Sequence, residues 1–227
     1  MKESLSIIFL IKFGKKTHLE SLLKDGELYF SSPIKYNDLK EISDEQGDEN
    51  EGAEWIDNLI DVKIQVSHPE LGNLNFKSLP NKPVKLTQFN HNYLTTSFYL
   101  VSSNDIQKTG EIQIDKRMSS FGDHALIILN PKIFIDNIFN SADNKKISLS
   151  SKVVDYQDLS ALGKIEMNPF IKKIEHEYQQ EFRIALKNCI KEEFILNIEK
   201  HSIEGILVPV EKNKPFILKV EKVDKIE

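Results

Sequence analysis

Cysteine is nearly absent: Cys189 is the only one in 227 residues. An intramolecular disulfide and a cysteine-rich zinc site are therefore excluded. Glycine-rich phosphate cradles are missing too, with no Gly-x-Gly-x-x-Gly, no Walker loop and no Gly-x-Ser-x-Gly elbow, which removes the common Rossmann, kinase and hydrolase readings. The six histidines, His18, His68, His91, His124, His176 and His201, include no His-x3-His pair, and Cys189 has no obvious basic partner. Positive charge is in deficit. The net charge of −5 argues against broad binding to a phosphate backbone, although a local basic groove, and with it nucleic acid, stays open. The apolar run Ile7-Ile-Phe-Leu-Ile11 is too short to span a membrane and no cleavage-site pattern follows it. It reads as a buried strand, in a protein expected in the cytoplasm and away from membranes.

What is present is an ordinary core-forming composition, 40% apolar with thirteen Phe and one Trp, enough for a single domain over residues 1–227. Residues 6–13 read as a strand ending at Gly14. Residues 16–24 carry Leu19, Leu22 and Leu23 at helical spacing and stop at Asp25-Gly26. Residues 27–31 read as a second strand, broken at Ser32-Pro33. Further strands are expected at 61–67, 84–89, 93–100, 124–129, 147–156, 181–186, 194–198, 203–208 and 215–220. Helices are expected from Pro131 and, as a short one, from Asn168-Pro169. Strands outnumber helices without alternating regularly with them, so the fold class is α+β, with mixed, mostly antiparallel sheets and a few short helices. Residues 37–54 hold Asp38, Glu41, Asp44, Glu45, Asp48, Glu49, Glu51 and Glu54. Such a block is expected to be an exposed loop. It lacks EF-hand spacing, so no metal is expected, although its oxygens leave a divalent-cation reading to be weighed.

The chemistry-bearing residues lie mainly in Glu175-His-Glu-Tyr-Gln-Gln-Glu-Phe-Arg183. Strand alternation from Glu181 onward puts Glu181 and Arg183 on one face and Phe182 and Ile184 on the other. A carboxylate at a strand start can stabilise a developing cation in a cleft; a surface ion pair is the bland alternative, worth roughly 0–1 kcal/mol. Thr95-Thr96-Ser97 places hydroxyls on a strand, where they line a pocket or simply favour strand structure. Lys12-Phe13-Gly14 ends the first strand with a charge next to a glycine that lets backbone approach a ligand.

Lys12-Phe-Gly, Leu28-Tyr-Phe-Ser-Ser-Pro, Gly47-Asp-Glu-Asn-Glu-Gly52, Phe121-Gly-Asp-His-Ala-Leu126 and Tyr178-Gln-Gln-Glu-Phe-Arg183 together resemble a poorly characterised family of bacterial and phage proteins. A more distant likeness is to ADP-ribosyltransferases. Those have a basic or histidine residue on the first strand, a helix and a short strand ending in Ser, then a hydroxyl-bearing strand and a glutamate opening a late strand. Here the order is Lys12, the helix before Asp25-Gly26, residues 28–31, Thr95-Thr96-Ser97 and Gln179-x-Glu181. Lys12 or Lys15 stands where Arg or His is usual, and the hydroxyl motif begins with Thr. The resemblance implies NAD as substrate, cleaved at the nicotinamide–ribose bond, in conflict between bacteria and phage, as a toxin or defence effector. It implies Glu181 stabilising the oxocarbenium-like ribose and holding its 2′-hydroxyl, Gln179 positioning the acceptor, and Thr96 and Ser97 supporting Glu181 or the ribose. Lys12 would contact the adenine-side ribose or a phosphate, and Tyr29, Phe30, Tyr36 or Phe98 would wall the nicotinamide; Arg183, from its place two residues after Glu181, would hold Glu181 or bind an anionic group. The acceptor, a macromolecule or water, is left open. The rivals are a non-catalytic binding module presenting the acidic loop, and a metal-dependent nuclease or phosphoesterase using that loop with Glu181. Lys12, Thr96 and Glu181 are expected on neighbouring strands, converging on one cleft near Tyr29 or Tyr36. Lys12 and Glu181 on opposite faces of the sheet would end the transferase reading and leave the binding module.

Overall fold

A computed structural model describes residues 6–33, 35, 47–78, 82–90, 92–189 and 191–220. In chain order its strands and helices are β1 (Ile7–Gly14), α1 (Lys16–Asp25), β2 (Glu27–Ser31), β3 (Ala53–Leu59), β4 (Lys63–His68), β5 (Gly72–Lys77), β6 (Val84–Phe89), β7 (Tyr93–Ser102) and α2 (Ser103–Thr109). They continue with β8 (Glu111–Ile114), β9 (His124–Ile128), α3 (Pro131–Asn144), β10 (Leu149–Val153), β11 (Asp155–Gln157), β12 (Gly163–Glu166), β13 (Ile171–Lys173), β14 (Glu181–Lys187), β15 (Glu193–Asn197), β16 (Gly205–Pro209) and β17 (Phe216–Lys219). Short 3-10 turns cover Lys116–Phe121 and Ile174–Gln179. Strands are mostly antiparallel; the one parallel pairing among the described residues joins β11 to β13.

The central sheet runs β10-β14-β7-β1-β9-β16, with β2 branching from β7 and carrying β15 on its far side. Alternation sorts its side chains into two cores. Leu10, Leu94, Phe98, Leu126, Phe182 and Ile184 meet α1, α3 and Phe30 of β2 on one face. Ile11, Tyr99, Val101, Ala125 and Ile127 meet β8, β17 and Met118 on the other. β14 is buried on both faces from Glu181 to Leu186, so its apolar residues and its two charged ones must all find partners inside.

The sheet divides where β1 runs past β7. Their ladder reaches Ile11↔Tyr99 and no further, whereas β1 stays paired with β9 through Gly14↔His124. Beyond that point β7 is joined on the same side by β2, through Ser31↔Thr95. The turn after β1 is pinned by a close backbone crossing: a Cβ on Gly122 would lie 2.2 Å from backbone atoms of Gly14. Asp123 next to it accepts the Lys16 N–H at 2.9 Å at the start of α1. Gly26 closes α1 in the left-handed region (φ 71), where any Cβ would also meet the Ile198 carbonyl oxygen at 2.4 Å.

Two sequence expectations are corrected, and one strand is new. The acidic segment is not an exposed loop throughout its described part: Asp48, Asn50 and Glu51 are buried while Glu49 and Glu54 are exposed, because Glu51 neutralises a buried arginine. Residues 37–46 lie outside the described residues. The helix expected from Asn168 is instead a turn, with Asn168 Oδ1 accepting the Phe170 N–H at 2.9 Å, followed by the three-residue strand β13 and a 3-10 turn. The polar stretch between β4 and β6 contains β5, which hairpins with β4.

Candidate active site

A cavity of about 270 Å³ opens at the division between β1 and β7. Lys12, Tyr29, Thr96, Ser97, Gln179, Glu181 and Arg183 all line it, together with Glu51 and Lys172. Tyr36 lies outside the described residues. Phe98 lines the cavity, while Phe30 is fully buried in the apolar core on the helix side.

Glu181 sits at the centre of a buried ionic cluster. Its Oε1 accepts from Lys172 Nζ at 2.8 Å, and its Oε2 accepts from Arg183 Nε at 3.2 Å and Nη2 at 2.9 Å. The Ser97 hydroxyl also donates to this carboxylate. Burial alone would raise the Glu181 pKa, but Arg183 and Lys172 outweigh it and hold the carboxyl well below the usual range. A surface ion pair is therefore not what Glu181 forms: its side chain and those of Lys172 and Arg183 are each less than a tenth exposed. The strand-start backbone is fixed as well, with the Glu181 N–H donating to the Tyr156 hydroxyl at 2.9 Å.

Arg183 is committed within the protein. Nη1 donates to Glu51 Oε1 at 2.6 Å and to the Pro169 carbonyl at 2.7 Å. Nη2 reaches Glu51 Oε2 at 3.3 Å besides Glu181. With Nε also on Glu181, all five guanidinium donors are used. Of the two roles open to Arg183, holding Glu181 or binding an anionic group, it takes the first: it clamps Glu181 to Glu51. Burial pushes the Glu51 carboxyl up, against the pull of Arg183. For Lys172 burial works against the charge, and the Glu181, Glu51 and Asp48 carboxylates together more than offset it.

Lys12 belongs to the opposite face by register. It pairs with Leu126 of the helix-side core, whereas Glu181 pairs with Tyr99 of the other core. The two side chains thus leave opposite faces, the arrangement expected to count against the transferase reading, although both line the one cavity. On a continuous sheet that arrangement would separate them. Here the sheet is divided at this place, and Lys12 reaches its plane: Nζ donates to the Ser97 carbonyl at 3.0 Å and to Thr96 Oγ1 at 2.8 Å, above the Phe98 ring at 4.6 Å. Ser97 consequently touches Lys12 with its carbonyl and Glu181 with its hydroxyl. Burial lowers the Lys12 pKa to about 8, with the Glu181 charge acting against the fall.

At the rim, Tyr29 donates to Glu193 Oε2 at 2.5 Å and accepts from Lys35 Nζ at 2.7 Å. Gln179 Oε1 accepts from Lys172 Nζ at 2.6 Å, and its Nε2 donates to the Tyr178 hydroxyl at 3.1 Å. Sequence reasoning missed Lys172 and Glu51. Lys172 follows an apolar residue in an expected helix, and Glu51 is one carboxylate among eight; neither position has a local signal. Among the described residues no group of three or more His, Cys, Asp or Glu could hold a metal ion, and no helix is long and apolar enough to cross a membrane. A scan against protein-family models, a search of curated proteins and a search of solved structures each found no match.

Proposed function

We propose that the divided-sheet cavity binds NAD and that the protein is an ADP-ribosyltransferase-like enzyme acting on its nicotinamide–ribose bond. The observation that carries this reading is the ionised carboxylate of Glu181, held in the wall of a cavity also lined by Lys12, Thr96, Ser97, Gln179 and Tyr29. In this reading the C–N bond breaks with its electron pair leaving on nicotinamide. Positive charge spreads over the ribose, where a fixed carboxylate is worth most in a water-poor site. An acceptor hydroxyl, amine or water then bonds to the ribose carbon and gives up its proton. The Glu181 carboxylate has about four acceptor positions, and its present contacts fill them, so the ribose 2′-hydroxyl enters by displacing the Ser97 hydroxyl, the one neutral donor. Lys12 sits on the far side of Ser97. It supports that strand and supplies positive charge rather than forming the main grip on the ligand.

The saturated coordination of Glu181 also favours a second reading, a non-catalytic binding module in which the same cluster is a structural bolt. Calorimetry with NAD and ADP-ribose, combined with chromatographic detection of released nicotinamide, separates the two. Binding with nicotinamide release is the expected result. Binding without release leaves the module; absence of both removes NAD from the account.

A further inference from the structure

We propose that Lys172 is a positioning residue that fixes Glu181 and Gln179 together in the working geometry of this cavity. The inference rests on the transferase-like reading and extends it to a residue for which the sequence offers no motif. Lys172 comes from β13, three residues long and held by its parallel pairing with β11. Its side chain is 7% exposed, and a buried ammonium persists only where acceptors surround it. The two acceptors are Gln179 Oε1 at 2.6 Å and Glu181 Oε1 at 2.8 Å. Gln180 between them takes the left-handed conformation, φ 38 and ψ 54. That turn swings Gln179 and Glu181 towards the same ammonium, where two residues of a regular strand would share a face only by alternation. A merely structural lysine needs no such simultaneous contact with both candidate reacting residues.

Arg183 holds the other oxygen, Oε2. Lys172 therefore decides the remaining freedom of the carboxylate: rotation about its terminal torsion and the direction in which Oε1 faces the cavity. The charged and titratable groups around the cluster of Glu181 and its partners are Lys12 from β1, Asp48 and Glu51 from the acidic segment, Tyr93 from β7, Tyr156 from β11, His176 and Glu177 from the 3-10 turn, and Arg183 from the strand of Glu181. Removing Lys172 takes away a positive neighbour and a hydrogen bond, so Glu181 becomes easier to protonate.

The test compares wild type, K172Q and K172R, each with [13C]glutamate labelling for carboxyl titration by NMR and with kinetics of nicotinamide release from NAD. In K172Q the Glu181 carboxyl protonates at a higher pH than in wild type, and the acid limb of kcat/KM moves up with it. In the same variant kcat falls about ten-fold or more while KM for NAD changes little. K172R keeps the acid limb in place and loses several-fold in kcat, because a planar fork does not meet both oxygens as an ammonium does. An unshifted Glu181 titration in folded K172Q overturns the inference. If K172Q does not fold, full wild-type kcat in K172R overturns it. A wild-type protein that releases no nicotinamide removes the transferase-like reading, and the NMR titration still decides whether Lys172 controls Glu181.

Discussion

Replacing Lys12 by Met should separate the stability of the fold from the charge of the cavity. Burial holds the Lys12 ammonium at a pKa of about 8, against 10.5 for an unperturbed lysine. The unfolded chain therefore binds more protons than the folded one between those two values. Stability due to this group rises with pH across that window, and below it the folded state carries the full cost of a charged, half-buried lysine. The difference of 2.5 pH units corresponds to an upper bound of about 3 kcal/mol, reduced in practice by the side chain's partial solvent access. Between about pH 7 and pH 9.5 the wild type should gain up to roughly 2 kcal/mol relative to K12M. The methionine removes the charge penalty but leaves the Ser97 carbonyl and Thr96 hydroxyl without their donor, which costs about 1–3 kcal/mol. At neutral pH the two effects nearly cancel, and K12M folds with a stability close to that of wild type. Urea denaturation of both proteins at the two pH values measures the difference directly. The comparison also removes Tyr93, Tyr99 and Tyr156, whose burial-raised pKa values affect both proteins equally. A wild-type advantage that shrinks as pH rises would refute the reasoning. So would a K12M loss of more than about 3 kcal/mol at neutral pH, which would mark Lys12 as a net stabilising bond.

Glu181→Gln should abolish nicotinamide release and also lower stability by roughly 3–5 kcal/mol, since Lys172 and Arg183 lose a buried counter-charge; chromatographic detection of nicotinamide checks the first and denaturant midpoints of the folded variant the second. Glu51→Ala should destabilise by a similar roughly 3–5 kcal/mol through Arg183, and an effect within ±0.5 kcal/mol in urea denaturation, as for a surface site, would contradict the buried pairing. Gly122→Ala forces a Cβ against the Gly14 backbone at 2.2 Å, so the melting temperature should fall and the Lys12 end of β1 should shift. Unchanged melting would show that the crossing has room.

Much of the framework was legible because local chemistry dictated it. β2 and β6 fall on the expected residues, and β1, α1 and β14 lie within a residue or two of expectation, since each has a clear apolar period and all but β14 are flanked by a Gly or Pro. The shared face of Glu181 and Arg183 follows from alternation and holds in the register. What was hidden depends on other parts of the chain. An acidic run reads as solvated until a distant Arg183 requires Glu51. Lys172 is one lysine in a charged stretch until the turn at Gln180 delivers two acceptors to it. The gap between β1 and β7 is a property of how two ladders end, and alternation along either strand contains no sign of it. Local pattern therefore named most of the cavity's polar wall but not the bonds that orient it.

Arg183 and Glu51 are separated by 132 residues along the chain and Lys12 and Thr96 by 84. During synthesis the amino-terminal portion emerges with Lys12, Glu51 and Thr96 but without the strand that brings their charges into balance. The pocket is consequently a late product of folding, closed only when β14 slides in beside β7, and long-range pairing of this kind is slow. Until then the chain holds unmatched carboxylates and no working cleft. Whatever chemistry the finished site performs is withheld from the growing polypeptide by the order in which its parts arrive.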